Sequence, residues 1–116
     1  MTTIAFLGLG NMGGPMSANL VKGGFTVHGF DPVPELRSAA AEKGLRVFDS
    51  APAAVAGADV VITSLPNGAV VRSCYTEVLP AAAAGTLFID TSTISVDDAR
   101  EVHRQAVERG FAQIDA

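Results

Sequence analysis

The sequence is short of the side chains that carry most enzyme chemistry. It holds one cysteine, Cys74, two histidines, His28 and His103, and two lysines, Lys22 and Lys43. A single cysteine excludes an internal disulfide and suits a reducing compartment. His28 falls on an expected strand and His103 on an expected helix, and neither has a companion at metal-ligand spacing. Cys74 falls mid-helix, where a small buried residue is the ordinary role. Both lysines fall at helix ends that solvent would reach, whereas a lysine acting as general acid or base needs burial. Ser17, Ser92 and Ser95 have no histidine and carboxylate partners near them in the sequence. No residue is therefore assigned a catalytic role, and no metal site is expected. Positive charge is scarce as well: eight Lys and Arg stand against twelve Asp and Glu, for a net charge of −4 with no basic cluster, which argues against a nucleic-acid partner. No run of about eighteen apolar residues is present to span a membrane. The first expected strand begins within a few residues of Met1 and leaves no room for a signal or transit peptide, so the chain is read as cytoplasmic.

Apolar side chains and glycine are what the chain does have. Hydrophobic residues make up 48% and charged residues only 17%, the balance of a globular chain, and 116 residues suit one domain. The twelve glycines include Gly8-Leu9-Gly10-Asn11-Met12-Gly13. Spaced glycines alone mean little, but these follow the apolar run Thr3-Ile4-Ala5-Phe6-Leu7 and precede a helix-compatible segment, Pro15 to Val21, that Gly23-Gly24 ends. A second strand, Phe25 to Phe30, then terminates on Asp31. Strand, glycine loop, helix, strand and terminal acid within one βαβ length form the dinucleotide-binding fingerprint. Gly8 would allow the tight turn, Gly10 the close approach of a pyrophosphate, and Gly13 the packing of helix on strand. Free amides at the helix start would hold the phosphates. Asp31 would accept hydrogen bonds from the adenosine ribose, although Asp is also a favoured helix cap.

The rest of the chain continues the alternation. A helix is expected over Glu35 to Lys43, a short strand over Leu45 to Phe48, and a brief helix capped by Ser50 with Pro52 in its first turn. A strand over Val60 to Leu65 is broken by Pro66-Asn67-Gly68, and a helix over Ala69 to Leu79 is ended or kinked by Pro80. A fifth strand covers Thr86 to Asp90. A helix from Ser95 to Arg109 places Val96, Ala99, Val102 and Ala106 at core spacing, and a sixth strand begins at Phe111. The strands read as near-continuous apolar runs, as a parallel sheet covered on both faces requires. The fold class is α/β, a doubly wound, mainly parallel sheet of the Rossmann type, with ligands expected at the carboxyl ends of the strands. At that edge the hydroxyls of Thr91-Ser92-Thr93 either meet a cofactor or substrate carboxylate, or serve turn and cap chemistry with Ser95.

Three motifs carry a family resemblance: Phe6 to Met16 with Asn19-Leu20, then Leu65-Pro66, then Asp90-Thr91-Ser92-Thr93-Ile94. In order and spacing the chain resembles the β-hydroxyacid dehydrogenases, and within them the 3-hydroxyisobutyrate dehydrogenase branch. The resemblance implies that Gly8, Leu9, Gly10, Asn11, Met12 and Gly13 lie along the pyrophosphate and Asp31 at the ribose. It further implies that Leu65 and Pro66 touch the cofactor and that Thr93 reaches its nicotinamide side. The asparagine that follows the Leu-Pro pair in several relatives falls here near Val70, so that role is not transferred. Asp31 favours NAD over NADP, since its carboxylate would repel a 2′-phosphate and no arginine directly follows it; Arg37 lies further along the next helix.

In that family the sequence after Asp115-Ala116 continues into a Pro-Val-Ser-Gly-Gly substrate loop, and a catalytic lysine follows in a helical C-terminal domain. Residues 1–116 are thus expected to form the NAD-binding portion, stopping within or after the sixth strand, with the catalytic lysine beyond residue 116. The implied reaction is oxidation of a small 3-hydroxy acid, 3-hydroxyisobutyrate, to methylmalonate semialdehyde in valine breakdown. The alternatives are a sibling such as a tartronate semialdehyde reductase or an imine reductase, or a catalytically inactive nucleotide-sensing module. A homo-oligomer is expected, because a sheet lacking its closing strands would leave an apolar edge exposed.

Overall fold

The computed structural model describes residues 2–116. Six strands, β1 (Thr3–Leu7), β2 (Thr26–Phe30), β3 (Arg46–Val47), β4 (Val60–Thr63), β5 (Leu87–Asp90) and β6 (Ala112–Asp115), form one sheet. Its order is β3-β2-β1-β4-β5-β6, and every pairing is parallel. The connections are α1 (Gly13–Lys22), α2 (Pro34–Glu42), α3 (Ala51–Val55), α4 (Gly68–Val78) and α5 (Val96–Glu108). This is the doubly wound arrangement expected from the alternation, and β6 pairs with β5 residue for residue from Leu87↔Ala112 to Asp90↔Asp115.

Local chemistry sets the element ends. Ser50, Asn67 and Ser95 each adopt extended backbone and accept a hydrogen bond from the amide three residues on, so α3, α4 and α5 start where a side chain satisfies an otherwise unpaired donor. Pro80 does not sit within α4: the helix closes at Val78 and a 3-10 turn, Leu79–Ala81, takes the proline in its first positions. The third strand is shorter than its apolar pattern suggests. Leu45 is buried under α2 and only Arg46 and Val47 pair with β2, because this strand lies at the sheet edge.

Two cores sandwich the sheet. Ala5, Leu7, Val61 and Phe88 face α3, α4 and α5 and pack with Val55, Val71, Tyr75, Val78, Val102 and Ala106. Within that layer the rings of Tyr75, Phe88 and Phe111 succeed one another at 5.5 and 5.3 Å. The opposite face packs Phe6, Leu9 and Val27 against Ala40, Met16, Leu20 and Leu36 of α1 and α2.

Two expectations need correction. Val96 is not a core residue but 65% exposed, because the first turn of α5 stands at the level where β6 ends, beside Asp115, with no sheet beneath it. Nor is the sheet covered on both faces throughout. Along β4 and β5 the residues facing α4 and α5 are buried while Val60, Ile62, Leu87 and Ile89 on the other face are only half-buried, and Ile114 of β6 is exposed. Helices α1 and α2 reach only as far as Ile62 on that side, so among the described residues the β4–β6 half of one face is bare.

Candidate dinucleotide-binding site

The strand order reverses between β1 and β4, and loops leaving neighbouring strands in opposite directions open a crevice there. A cleft of about 560 Å³ occupies this point. Its walls are Gly8, Gly10, Asn11, Met12 and Gly13 after β1, Asp31, Pro32, Val33 and Leu36 after β2, and Ser64, Leu65, Pro66 and Val70 after β4. The sheet ladder continues into the loop bases, where the Gly8 amide donates to Phe30 O at 3.0 Å and the Ser64 amide to Leu7 O at 2.9 Å.

The protein itself requires two of the three glycines, each for a different reason. Gly8 has φ +100°, and a Cβ there would run into the Ser64 carbonyl. Gly13 lies so close under the loop that a Cβ would collide with the Gly8 carbonyl oxygen and approach the Phe6 ring to 3.1 Å. Gly10 has an ordinary φ, and a Cβ built on it meets nothing within 4 Å. No protein atom demands a glycine at position 10; the space beside it is the cleft itself.

Helix α1 opens onto that space. Its N-cap, Met12, supplies no side-chain hydrogen bond, in contrast to the capped starts of α3, α4 and α5, and its first turn holds no acid. The Gly14 amide donates to Gly10 O at 2.8 Å and Pro15 has no amide, so it is the backbone ahead of these residues and the positive end of the helix dipole that suit an anionic group such as a pyrophosphate. Asn11 and Met12 are exposed along this rim, Met12 at 65%. Leu9 differs from its neighbours, since its side chain is buried in the α1–α2 core and only its backbone serves the loop.

Asp31 lies at the carboxyl end of β2 and is 8% exposed. Its Oδ2 accepts the Leu9 amide and its Oδ1 the Val33 amide, each at 2.9 Å, so one carboxylate spans the glycine loop and its own turn. It does not cap α2, whose N-cap is Val33. Each oxygen keeps a second lone pair, so both can still accept a hydroxyl. Arg37, one helical turn into α2, folds back to donate from Nη1 to the Asp31 carbonyl at 2.7 Å, with its guanidinium 5.9 Å from the Phe30 ring centre. That contact was hidden in the sequence by five intervening residues.

Across the crevice, the loops after β4 and β5 are tied together. The Leu65 amide donates to Ser92 Oγ at 2.8 Å, and Thr91 Oγ1 donates to Thr63 O at 2.8 Å. Asp90, 2% exposed, accepts from Thr63 Oγ1 at 2.7 Å and from the Ser92 amide at 3.1 Å, both on Oδ1. Of the hydroxyls after β5, those of Thr91 and Ser92 are therefore engaged within the protein. Thr93 is exposed and lies outside the lining of the cleft, so the fold brings together motifs 8–13, 31 and 65–66 but not Thr93.

A side recess of about 210 Å³ continues from the cleft past Pro32 and Leu65 to Ser73, Cys74 and Glu77 of α4. Burial, reinforced by the charges of Glu77 and Asp90, pushes the Cys74 thiol up to about 12, so it stays protonated and is no nucleophile at neutral pH. Burial likewise raises the Tyr75 phenol. His28 packs its ring on Phe48 at 4.8 Å with Nδ1 3.2 Å from Ala54 O, and His103 Nδ1 lies 2.7 Å from Gln113 Oε1. Both histidines serve the scaffold. Among the described residues no helix is long and apolar enough to cross a membrane.

The open space at Gly10, the uncapped start of α1 and the acceptor Asp31 fit a dinucleotide, and comparison with known proteins agrees. A family model described as the NAD binding domain of 6-phosphogluconate dehydrogenase matches residues 3–116. A probable 3-hydroxyisobutyrate dehydrogenase of Mycobacterium tuberculosis is 68% identical over 116 residues, which are 100% of this chain and 40% of that protein. The 3-hydroxyisobutyrate dehydrogenase of Pseudomonas aeruginosa is 46% identical over 119 aligned positions, with the same two shares. The solved structure of Mycobacterium tuberculosis 3-hydroxyisobutyrate dehydrogenase with L-serine superposes with a TM-score of 0.98 at 68% identity, again over 100% of this chain and 40% of the other. The chain thus spans 40% of the length of these relatives. It belongs to the family of NAD-binding domains described for 6-phosphogluconate dehydrogenase.

Proposed function

We propose that this domain carries the NAD of a dehydrogenase that oxidises a small 3-hydroxy acid, 3-hydroxyisobutyrate, to its semialdehyde. The observation that carries the reading is Gly10, whose missing side chain leaves room for a ligand and for nothing in the protein. The names of the 68% and 46% identical relatives supply the substrate. NAD, when bound, accepts the hydride. The chain's own residues hold it: the Gly8–Gly13 backbone and the start of α1 along the pyrophosphate, Asp31 at the ribose, and Leu65 and Pro66 against the wall, while Thr93, outside the lining, is not counted among them. No cleft residue is assigned the proton of the alcohol; by the family resemblance a lysine outside residues 1–116 takes it. A sibling substrate is the second reading, favoured by the L-serine in the solved relative.

The test is a steady-state comparison on the full-length protein with NAD, offering 3-hydroxyisobutyrate, L-serine and glycerate (the alcohol of tartronate semialdehyde) in turn. A kcat/KM at least tenfold higher for 3-hydroxyisobutyrate is expected; a preference for serine moves the protein to the sibling activity. Residues 1–116 alone are expected to turn over none of them.

The bare face of β4–β6 supports self-association of the domain. Residues 1–116 are expected to sediment well above 11.9 kDa, and Ile89→Lys with Ile114→Lys to shift them toward monomer. A parent sample sedimenting as a clean monomer removes this proposal.

A further inference from the structure

Between the two loops that flank the crevice on the β4–β5 side there is one direct side-chain bridge that reaches the cleft wall. The Leu65 amide leaves the sheet ladder and donates to Ser92 Oγ at 2.8 Å, across 27 positions of sequence. Ser92 is itself fixed, because its amide donates to Asp90 Oδ1 at 3.1 Å. Asp90 is in turn held by Thr63 Oγ1 at 2.7 Å, deep between β4 and β5. The chain of bonds runs from a buried carboxylate, through a half-buried serine, to the backbone of a residue lining the 560 Å³ cleft. We propose that Ser92 is a positioning residue for the cofactor, setting the Leu65-Pro66 wall at its working distance from the Gly8–Gly13 loop. It acts through Leu65 and need not touch the ligand.

Physical chemistry gives the bond this consequence. Pro66 has no amide, and Asn67 spends its side chain on the Val70 amide to start α4, so the Leu65 amide is the anchor this turn offers to the neighbouring loop. Without an acceptor at Ser92 the amide turns to water, and the wall shifts or loosens by the fraction of an ångström that separates good packing from poor. The neighbouring Thr91 provides a built-in control. Its hydroxyl also makes a cross-loop bond of 2.8 Å, but to Thr63 O within the ladder, not to the wall.

The inference rests on Leu65 and Pro66 walling the cofactor cleft. Its test is NAD titration and steady-state kinetics on the full-length protein with three variants. Ser92→Ala is expected to raise the NAD dissociation constant and the KM for NAD about tenfold with kcat nearly unchanged, and to speed hydrogen exchange at the Leu65 amide. Ser92→Thr, which keeps the acceptor, restores binding to within about threefold. Thr91→Val lowers the melting temperature as Ser92→Ala does but leaves the NAD dissociation constant within about twofold. Ser92→Ala binding NAD like the parent, or Thr91→Val weakening it equally, overturns the positioning role while the dinucleotide reading stands. A parent protein that fails to bind NAD overturns both.

Discussion

Replacing Gly10 by alanine is expected to weaken NAD binding about hundredfold while leaving the fold at least as stable as before. The two halves of this result have separate causes. A methyl group at position 10 meets no protein atom within 4 Å, and the backbone there lies outside the left-handed region, so alanine fits without strain. Removing a glycine also narrows the unfolded ensemble, which stabilises a compatible site by roughly 0.4–1 kcal/mol. The methyl instead occupies the space into which a pyrophosphate must come, and a hundredfold loss corresponds to about 2.8 kcal/mol of binding free energy. Calorimetric titration with NAD and a thermal melt on the same sample check it. Unchanged affinity would mean that the cleft beside Gly10 is not where the phosphates lie, and a large fall in melting temperature would mean that position 10 is structural after all.

Gly13→Ala is expected to do the opposite, destabilising the domain before ligand enters the question. Its Cβ would collide with the Gly8 carbonyl oxygen and press on the Phe6 ring at 3.1 Å. Phe6 is fully buried, and neither it nor the backbone of a loop bonded to β2 can move freely aside. Relief requires α1 to lift from β1, which uncovers the core formed with Met16 and Leu20. Overpacking at a backbone contact of this kind costs about 4 kcal/mol or more, a large part of the ~5–15 kcal/mol by which a domain is ordinarily stable. Urea denaturation measures the loss. A midpoint equal to the parent's would show that α1 slides along the strand at little cost.

What the sequence disclosed follows the range of the forces involved. Steric rules at glycine and helix caps act over a few residues, so the loop from Gly8 to Gly13, the caps Ser50 and Ser95 and the parallel α/β order were all readable before any coordinates. The bonds from Arg37 to the Asp31 carbonyl and from the Leu65 amide to Ser92 were not, because each depends on backbone placed by tertiary packing. Ser92 could have been singled out only by knowing that β4 and β5 are neighbours with Thr63 opposite Asp90. The error over Val96 has a related origin: a helical period shows which residues share a face but not how far the sheet under that face extends. The apolar runs of β4 and β5 likewise announced two faces to be covered without saying what covers them.

The double engagement of Asp31 has a consequence for the thermodynamics of binding. A carboxylate on a free side chain must surrender its rotational freedom when a ligand arrives, at about 0.5–1.5 kcal/mol for each immobilised rotamer-rich group. Asp31 has surrendered it already, because the Leu9 and Val33 amides hold one oxygen each at 2.9 Å. A ribose that donates to the remaining lone pairs finds its acceptor frozen in place, so the entropy of ordering that side chain is charged to folding and leaves the dissociation constant untouched.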